Sequence, residues 1–151
     1  MLQRKQTLFL LAVVILTIAG TVLSLGGVEP SGMGTSDRVY SMCILKANGA
    51  VSFITLPLFV LNVLTFIFAS VTIFLYRNRP LQARLCVVGM FLQAAWYGYL
   101  AYCWTSAFAL SGTFHPSFIV CLPLIAIIFL VMARLGIIKD EKLVRSMDRI
   151  R

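Results

Sequence analysis

Hydrophobic residues in this chain come in long unbroken runs, not in the spaced stripes of a soluble helix. From Phe53 to Tyr76 there is no Asp, Glu, Lys, Arg or His, and the run stops at Arg77-Asn78-Arg79-Pro80. About 20 apolar residues at helical rise cross a bilayer core. In lipid only helices and closed barrels satisfy their own backbone hydrogen bonds, and the alternation of a barrel strand is missing from this run. It therefore predicts a membrane helix. Comparable runs place spans at about residues 7–25, 53–76, 84–104 and 117–138, giving an antiparallel four-transmembrane-helix bundle within a single domain, 1–151. The short link Arg77 to Ala83 makes the second and third helices a hairpin. Pro57 falls near the start of the second helix and Pro80 is expected to stop it, while Pro123 inside the fourth predicts a kink.

Polar residues inside the runs are few, so their spacing is informative. Asn62, Thr65, Ala69 and Thr72 recur at three and four residues and share one face of the second helix; Gln93 is the interior polar residue of the third. Asn62, Thr65 and Gln93 are the candidate intramembrane polar contacts. Small and hydroxyl residues also share a face of the first helix, at Thr17, Gly20, Thr21 and Ser24. Such positions mark close helix approach and interhelical hydrogen bonds. A solute path lined by amides and hydroxyls is the alternative, although it would carry none of the ionisable groups usual in pathways. Trp96, Tyr97, Tyr99, Tyr102 and Trp104 crowd toward the end of the third helix, as in an interfacial aromatic belt.

Between the first two spans, residues 26–52 form the sizeable loop. Its β-prone stretch Val39 to Lys46, then Asn48-Gly49, then Val51 to Ile54 predicts a short outer β-hairpin. After the fourth span, the tail 139–151 sets Leu143, Val144, Met147 and Ile150 opposite Lys142, Arg145 and Arg149. This is a basic amphipathic helix for a membrane surface or a partner.

Composition agrees. Of 151 residues 60% are hydrophobic and 12% charged, with mean hydropathy +0.96, where soluble domains carry about a quarter charged residues. The net charge of +8 does not form a patch interleaved with exposed aromatics, which argues against nucleic acid as a partner. Eleven of the thirteen Lys and Arg residues flank one set of helix ends, and only Arg38 and Lys46 lie in the other loop. Basic residues near helix ends stay cytoplasmic. Both termini are thus expected inside, with anionic lipids of the cytoplasmic leaflet as counter-charges. Arg4 and Lys5 before an apolar run resemble a signal peptide, but the run exceeds the usual core of about 7–15 residues and lacks a clean cleavage site. The first helix is expected to be retained.

Chemistry-bearing motifs are scarce. There is no carboxylate pair, Ser-His-Asp set, phosphate loop or metal-ligand cluster, so no cofactor or metal is expected. His115 stands alone before the fourth helix and reads as a cap or interfacial residue. Cys43, Cys86, Cys103 and Cys121 include no C-x-x-C, the pre-paired redox unit. A disulfide joining Cys43 and Cys103 is open to the outer cysteines; free apolar packing is the favoured reading.

Three segments carry a resemblance: Met1-Leu2-Gln3-Arg4-Lys5-Gln6-Thr7, then Phe74 to Cys86 around Arg77-Asn78-Arg79-Pro80-Leu81-Gln82, and the ending Asp140 to Arg151. With them the whole chain resembles domain of unknown function 4293, a family of small bacterial four-span inner-membrane proteins. The resemblance implies the same arrangement with both termini inside, and supplies no activity or catalytic residues. What it adds is that the distinctive residues, Asn78, Gln82, Ser146 and Asp148 among them, sit at the cytoplasmic end. The expected function is a non-catalytic accessory or scaffold protein. Its basic face, with Arg4, Arg77, Arg79, Arg84, Lys142, Arg145 and Arg149 as docking candidates, would meet a partner or anionic lipid. The competing reading for these residues is helix capping and mutual pairing, such as Glu141 with Arg145. An oligomeric small-solute transporter or channel is the alternative function, and thiol-disulfide exchange at Cys43 or Cys103 the second.

Overall fold

The computed structural model describes residues 3–30, 34–75, 78–108 and 112–148, with side chains from residue 6 onward except those of 107, 145, 147 and 148. Four helices form an antiparallel bundle: α1 (Gln3–Val22), α2 (Leu56–Phe74), α3 (Arg79–Cys103) and α4 (Leu122–Asp148). Three of them are long and apolar enough to cross a membrane, and α1 has a shorter apolar stretch, Gln6–Val22. Five short strands close one end of the bundle: β1 (Gly26–Glu29), β2 (Asp37–Val39), β3 (Ile44–Leu45), β4 (Val51–Ser52) and β5 (Thr113–Pro116).

Prolines set where two helices begin. Pro57 and Pro80 occupy the first turns of α2 and α3, where the missing N–H has no intrahelical partner to lose. Pro80 therefore opens α3 instead of stopping α2, and α3 starts at Arg79, five residues earlier than expected. Pro123 does not kink the fourth helix; it sits at its start. The preceding turn, Phe118–Cys121, is a 3₁₀-helix that passes into α4 at Leu122. At this junction the Tyr97 hydroxyl donates to the Val120 carbonyl at 2.7 Å and accepts the Leu124 N–H at 3.0 Å. It thereby stands between two backbone groups that an α-turn would join directly.

The expected hairpin exists but is one part of a larger element, so the fold is mostly helical with a small antiparallel sheet, not all-α. β3 and β4 pair antiparallel around Asn48-Gly49. Gly49 adopts a left-handed φ of 81° and donates to the Lys46 carbonyl at 2.9 Å, which closes the turn. The Val39 to Lys46 stretch is broken into β2 and β3, which pair with each other. The full strand order is β4-β3-β2-β1-β5. β1 pairs with β2, Gly27 opposite Arg38, and on its other edge with β5, Gly27 opposite His115. Among its described residues, the linker between α3 and α4 thus holds a π-helical turn (Trp104–Phe108) and a strand. Ser41 ties the sheet to α1, its hydroxyl donating to the Gly20 carbonyl at 2.7 Å.

The tail is also different from expectation. α4 runs without a break through Asp148, so residues 139–148 continue its axis and do not form a separate helix; the rest of the tail, 149–151, lies outside the described residues. Nothing in Gly136 to Asp140 interrupts the helix, because Gly136 is held against Gln6 of α1; an added Cβ would lie 3.0 Å from Gln6 Cγ.

Packing divides the interior. At the sheet end one apolar cluster joins Val28, Val39 and Ile44 to Leu58, Trp96, Leu100, Cys103, Phe108 and Phe114. Toward the other end a second cluster holds Leu10, Val13, Ala69, Cys86, Ala126, Leu130, Ala133 and Ile137. The bundle's outward faces are apolar as well: Phe91, at the middle of α3, is 71% exposed, and Leu8, Phe74, Ile128 and Leu135 are exposed too. The uncharged polar residues Thr17, Asn62, Thr65, Thr72, Gln82 and Gln93 are inside.

Candidate functional site

Two places collect the residues that the sequence singles out. One is the end of the bundle away from the sheet, where α1 and α3 begin and α2 and α4 end. There the Gln6 amide donates to a carboxylate oxygen of Asp140 at 2.6 Å, both side chains being buried. Arg79 donates from Nη1 to the Asp140 carbonyl at 3.2 Å, and the Gln82 amide reaches the Thr72 carbonyl at 3.1 Å. These bonds fasten the helix ends together. Around them Arg84, Arg134, Lys139 and Lys142 are exposed. Of the docking candidates, Arg79 is partly absorbed in the contact with α4, while Arg84 and Lys142 face outward. The backbone of Arg4 and Arg145 is in α1 and α4, but their side chains lie outside the described residues, as do Arg77 and Arg149 altogether.

The other place is the bundle interior. α2 buries Leu58, Asn62, Thr65, Ala69 and Thr72 on one face, so the stripe read from the sequence points inward. α3 buries Gln82, Cys86, Gly89, Gln93, Trp96, Leu100 and Cys103. Buried hydroxyls within the helices satisfy themselves locally: Thr17 donates to the Val13 and Val14 carbonyls, Thr65 to Leu61 and Thr72 to Phe68, whereas Thr55 Oγ1, just before α2, has no partner among the described residues. Two of the carboxamides, Asn62 and Gln93, differ. Asn62 Nδ2, both polar atoms of Gln93 and the Trp96 indole N–H find no partner among the described residues.

Register puts these groups at one depth. Starting from the Gln82–Thr72 bond, ten residues along α2 lead to Asn62 and eleven along α3 to Gln93, about 15 Å in each case. Gly20 of α1 is a neighbour of Asn62: an added Cβ there would lie 3.6 Å from Asn62 Nδ2, an ordinary contact distance. Asn62 and Gln93 are thus brought together in depth, Thr65 sits one turn away with its hydroxyl engaged, and the apolar clusters lie above and below.

Sequence reasoning missed Gln6, Gln82, Asp140 and Trp96 as interior residues. Gln82 falls on the same three-and-four spacing as Cys86, Gly89 and Gln93, which is the signal that marks it. Of the aromatic group, Trp96 is packed inside the bundle and Tyr97 is half-buried. Trp96 is 1% exposed, Tyr97 is spent on the start of α4, and Tyr99 donates to the Ile54 carbonyl at 2.9 Å; Tyr102 and Trp104 are the exposed ones.

The sheet end offers little for chemistry. His115 is on β5, 3.5 Å from a Glu29 carboxylate oxygen, both exposed. A crevice of about 40 Å³ lined by Val28, Asp37, Ile44, Lys46, Ser52, Ile54 and Phe108 is far smaller than the few hundred Å³ of a typical ligand pocket. No group of three or more His, Cys, Asp and Glu side chains suited to a metal occurs among the described residues. All four cysteines are free thiols, so Cys43 and Cys103 are not joined; Cys103 and Cys86 are buried in apolar surroundings.

A family model described as Domain of unknown function (DUF4293) matches residues 2–150, essentially the whole chain. Comparison with curated proteins and with solved structures gave no match.

Proposed function

The chain belongs to the DUF4293 family, and from that premise we propose that it is a four-span protein of the bacterial inner membrane, with both termini cytoplasmic, acting as a non-catalytic accessory component whose basic end docks anionic lipid headgroups or a partner protein. The observation that carries this reading is the inverted polarity of the bundle. Asn62, Thr65, Thr72, Gln82 and Gln93 are buried while Leu8, Phe74, Phe91, Ile128 and Leu135 are exposed. Water would favour the opposite arrangement, whereas in lipid outward apolar side chains cost nothing and polar groups belong inside. α1 spans with its neighbours, since Gln6–Val22 covers roughly 25 Å at helical rise. That is close to the ~30 Å hydrocarbon core.

Orientation and docking rest on charge. Arg79, Arg84, Arg134, Lys139 and Lys142 come from two helices that meet at the same end of the bundle. Basic residues in such positions remain cytoplasmic and attract anionic lipid. The test is purification of the tagged protein from membranes in mild detergent, beside a variant with Arg145 and Arg149 changed to Ala. Co-purification of a stoichiometric protein, or of anionic phospholipid by mass spectrometry, that the variant loses would support docking. Recovery of the bare protein in both preparations would sink it. Reporter fusions at Met1, at Arg151 and in the Asn48-Gly49 turn test the orientation separately, with only the turn expected on the outer side.

A further inference from the structure

We propose that the Asn62–Gln93 layer is an internal water-binding site, in which one or more ordered waters bridge the two carboxamides and the Trp96 indole N–H. Three independent observations converge on it. Asn62, Gln93 and Trp96 are each 1% exposed, so bulk solvent does not reach them. Their polar atoms Asn62 Nδ2, Gln93 Nε2, Gln93 Oε1 and Trp96 Nε1 have no partner among the described residues. Register sets the two carboxamides at the same depth, and Trp96 lies one turn from Gln93 on the same buried face of α3.

Exchanging the oxygen and nitrogen of Gln93 does not help, since neither atom has a partner. Buried amides left unpaired carry an uncompensated desolvation cost, so an occupant that pairs them is favoured. Its chemistry follows from the groups themselves. Three donors and one acceptor require a molecule that both accepts and donates, which excludes an apolar filler. An ion is disfavoured because the residues buried around this depth, from Thr17 and Gly20 through Thr65 to Ala126, are neutral. Water has the right hydrogen-bonding capacity, and buried waters characteristically make about three hydrogen bonds to otherwise unpaired polar groups.

The site is also enclosed. The sheet-side cluster around Leu58, Leu100 and Phe108 lies on one side, and the Leu10, Val13, Leu130 cluster on the other. The inference does not rest on the membrane reading, because buried amides need partners in a soluble bundle as well.

Water-edited solid-state NMR on the wild-type protein, ¹⁵N-labelled at Asn, Gln and Trp, tests it, with Asn62→Leu and Gln93→Leu used only to assign the side-chain signals. The sample is protein in bilayers of deuterated lipid, or protein sedimented from solution if the chain does not enter bilayers; that failure would count against the membrane reading alone. The expected result is polarisation from water to the Gln93 and Asn62 amides building up as fast as to the exposed Asn48, and several-fold faster than to the backbone amide of Leu130. Build-up at the Leu130 rate would mean a dry layer with carboxamides paired to each other, and would overturn the proposal.

Discussion

Asp140 is the residue at which three helices meet. Its carboxylate accepts from Gln6 of α1 and its backbone carbonyl from Arg79 of α3, while it belongs to α4 itself. Removing the carboxylate leaves the Gln6 amide buried without an acceptor. Asp140→Ala is therefore expected to destabilise the protein by about 1.5–3 kcal/mol, the range for a hydrogen bond to a charged group. Asp140→Asn, which retains an acceptor oxygen, should lose clearly less. Thermal unfolding in detergent checks both, and equal losses would show that the acceptor is not what matters. This contact was not legible in the sequence, because Gln6 and Asp140 are 134 residues apart. Each also sits in a charged flank that reads as solvated. Asn62 and Thr65 were legible for the opposite reason: in a uniformly apolar run, a polar residue repeated at helical spacing defines a face by itself.

At the scale of elements, the start of α4 and the edge of the sheet both depend on contacts from elsewhere in the chain. Tyr97 supplies the Leu124 N–H with an acceptor and the Val120 carbonyl with a donor. Tyr97→Phe withdraws both at once and should cost about 1–3 kcal/mol. Hydrogen exchange at the Leu124 amide is the specific readout, rising in the variant while exchange at mid-α4 amides keeps its order. In the sheet, two glycines differ instructively. Gly49 has φ 81° and open space around it, so Gly49→Ala carries only backbone strain, about 1 kcal/mol. At Gly112 an added Cβ would lie 1.8 Å from the Glu29 carbonyl oxygen, so Gly112→Ala should force β5 off β1 and lower the melting temperature well beyond the Gly49 variant. The hairpin was legible because its turn and strands are contiguous. β1 and β5 were not: each has four residues, with Gly26-Gly27 in one and Pro116 in the other, and pairing them spans most of the chain. Pro80 shows a related ambiguity, since a proline between two apolar runs reads equally as the stop of one helix or the first turn of the next. Only packing decides.

For the whole molecule, the exposed faces of the bundle distinguish a membrane setting from an aqueous one, and a single position can be made to report on it. Phe91 is at the middle of α3, points away from the buried face and is 71% exposed. In water, Phe91→Lys would replace an exposed apolar ring with a solvated charge and leave stability nearly unchanged, with better solubility. In a bilayer the same side chain would sit near the core of the hydrocarbon, where a lysine costs about 2.5–3.5 kcal/mol at a helix centre. Phe74→Lys is the control, because Phe74 is equally exposed but lies at the last residue of α2, where a lysine can reach the headgroups. The membrane reading therefore expects Phe91→Lys to reduce the membrane-integrated, alkali-resistant fraction strongly and Phe74→Lys to leave it close to wild type. Equal behaviour of the two variants would contradict a spanning α3. An increase in soluble, folded Phe91→Lys protein would assign the apolar faces to association between chains in water.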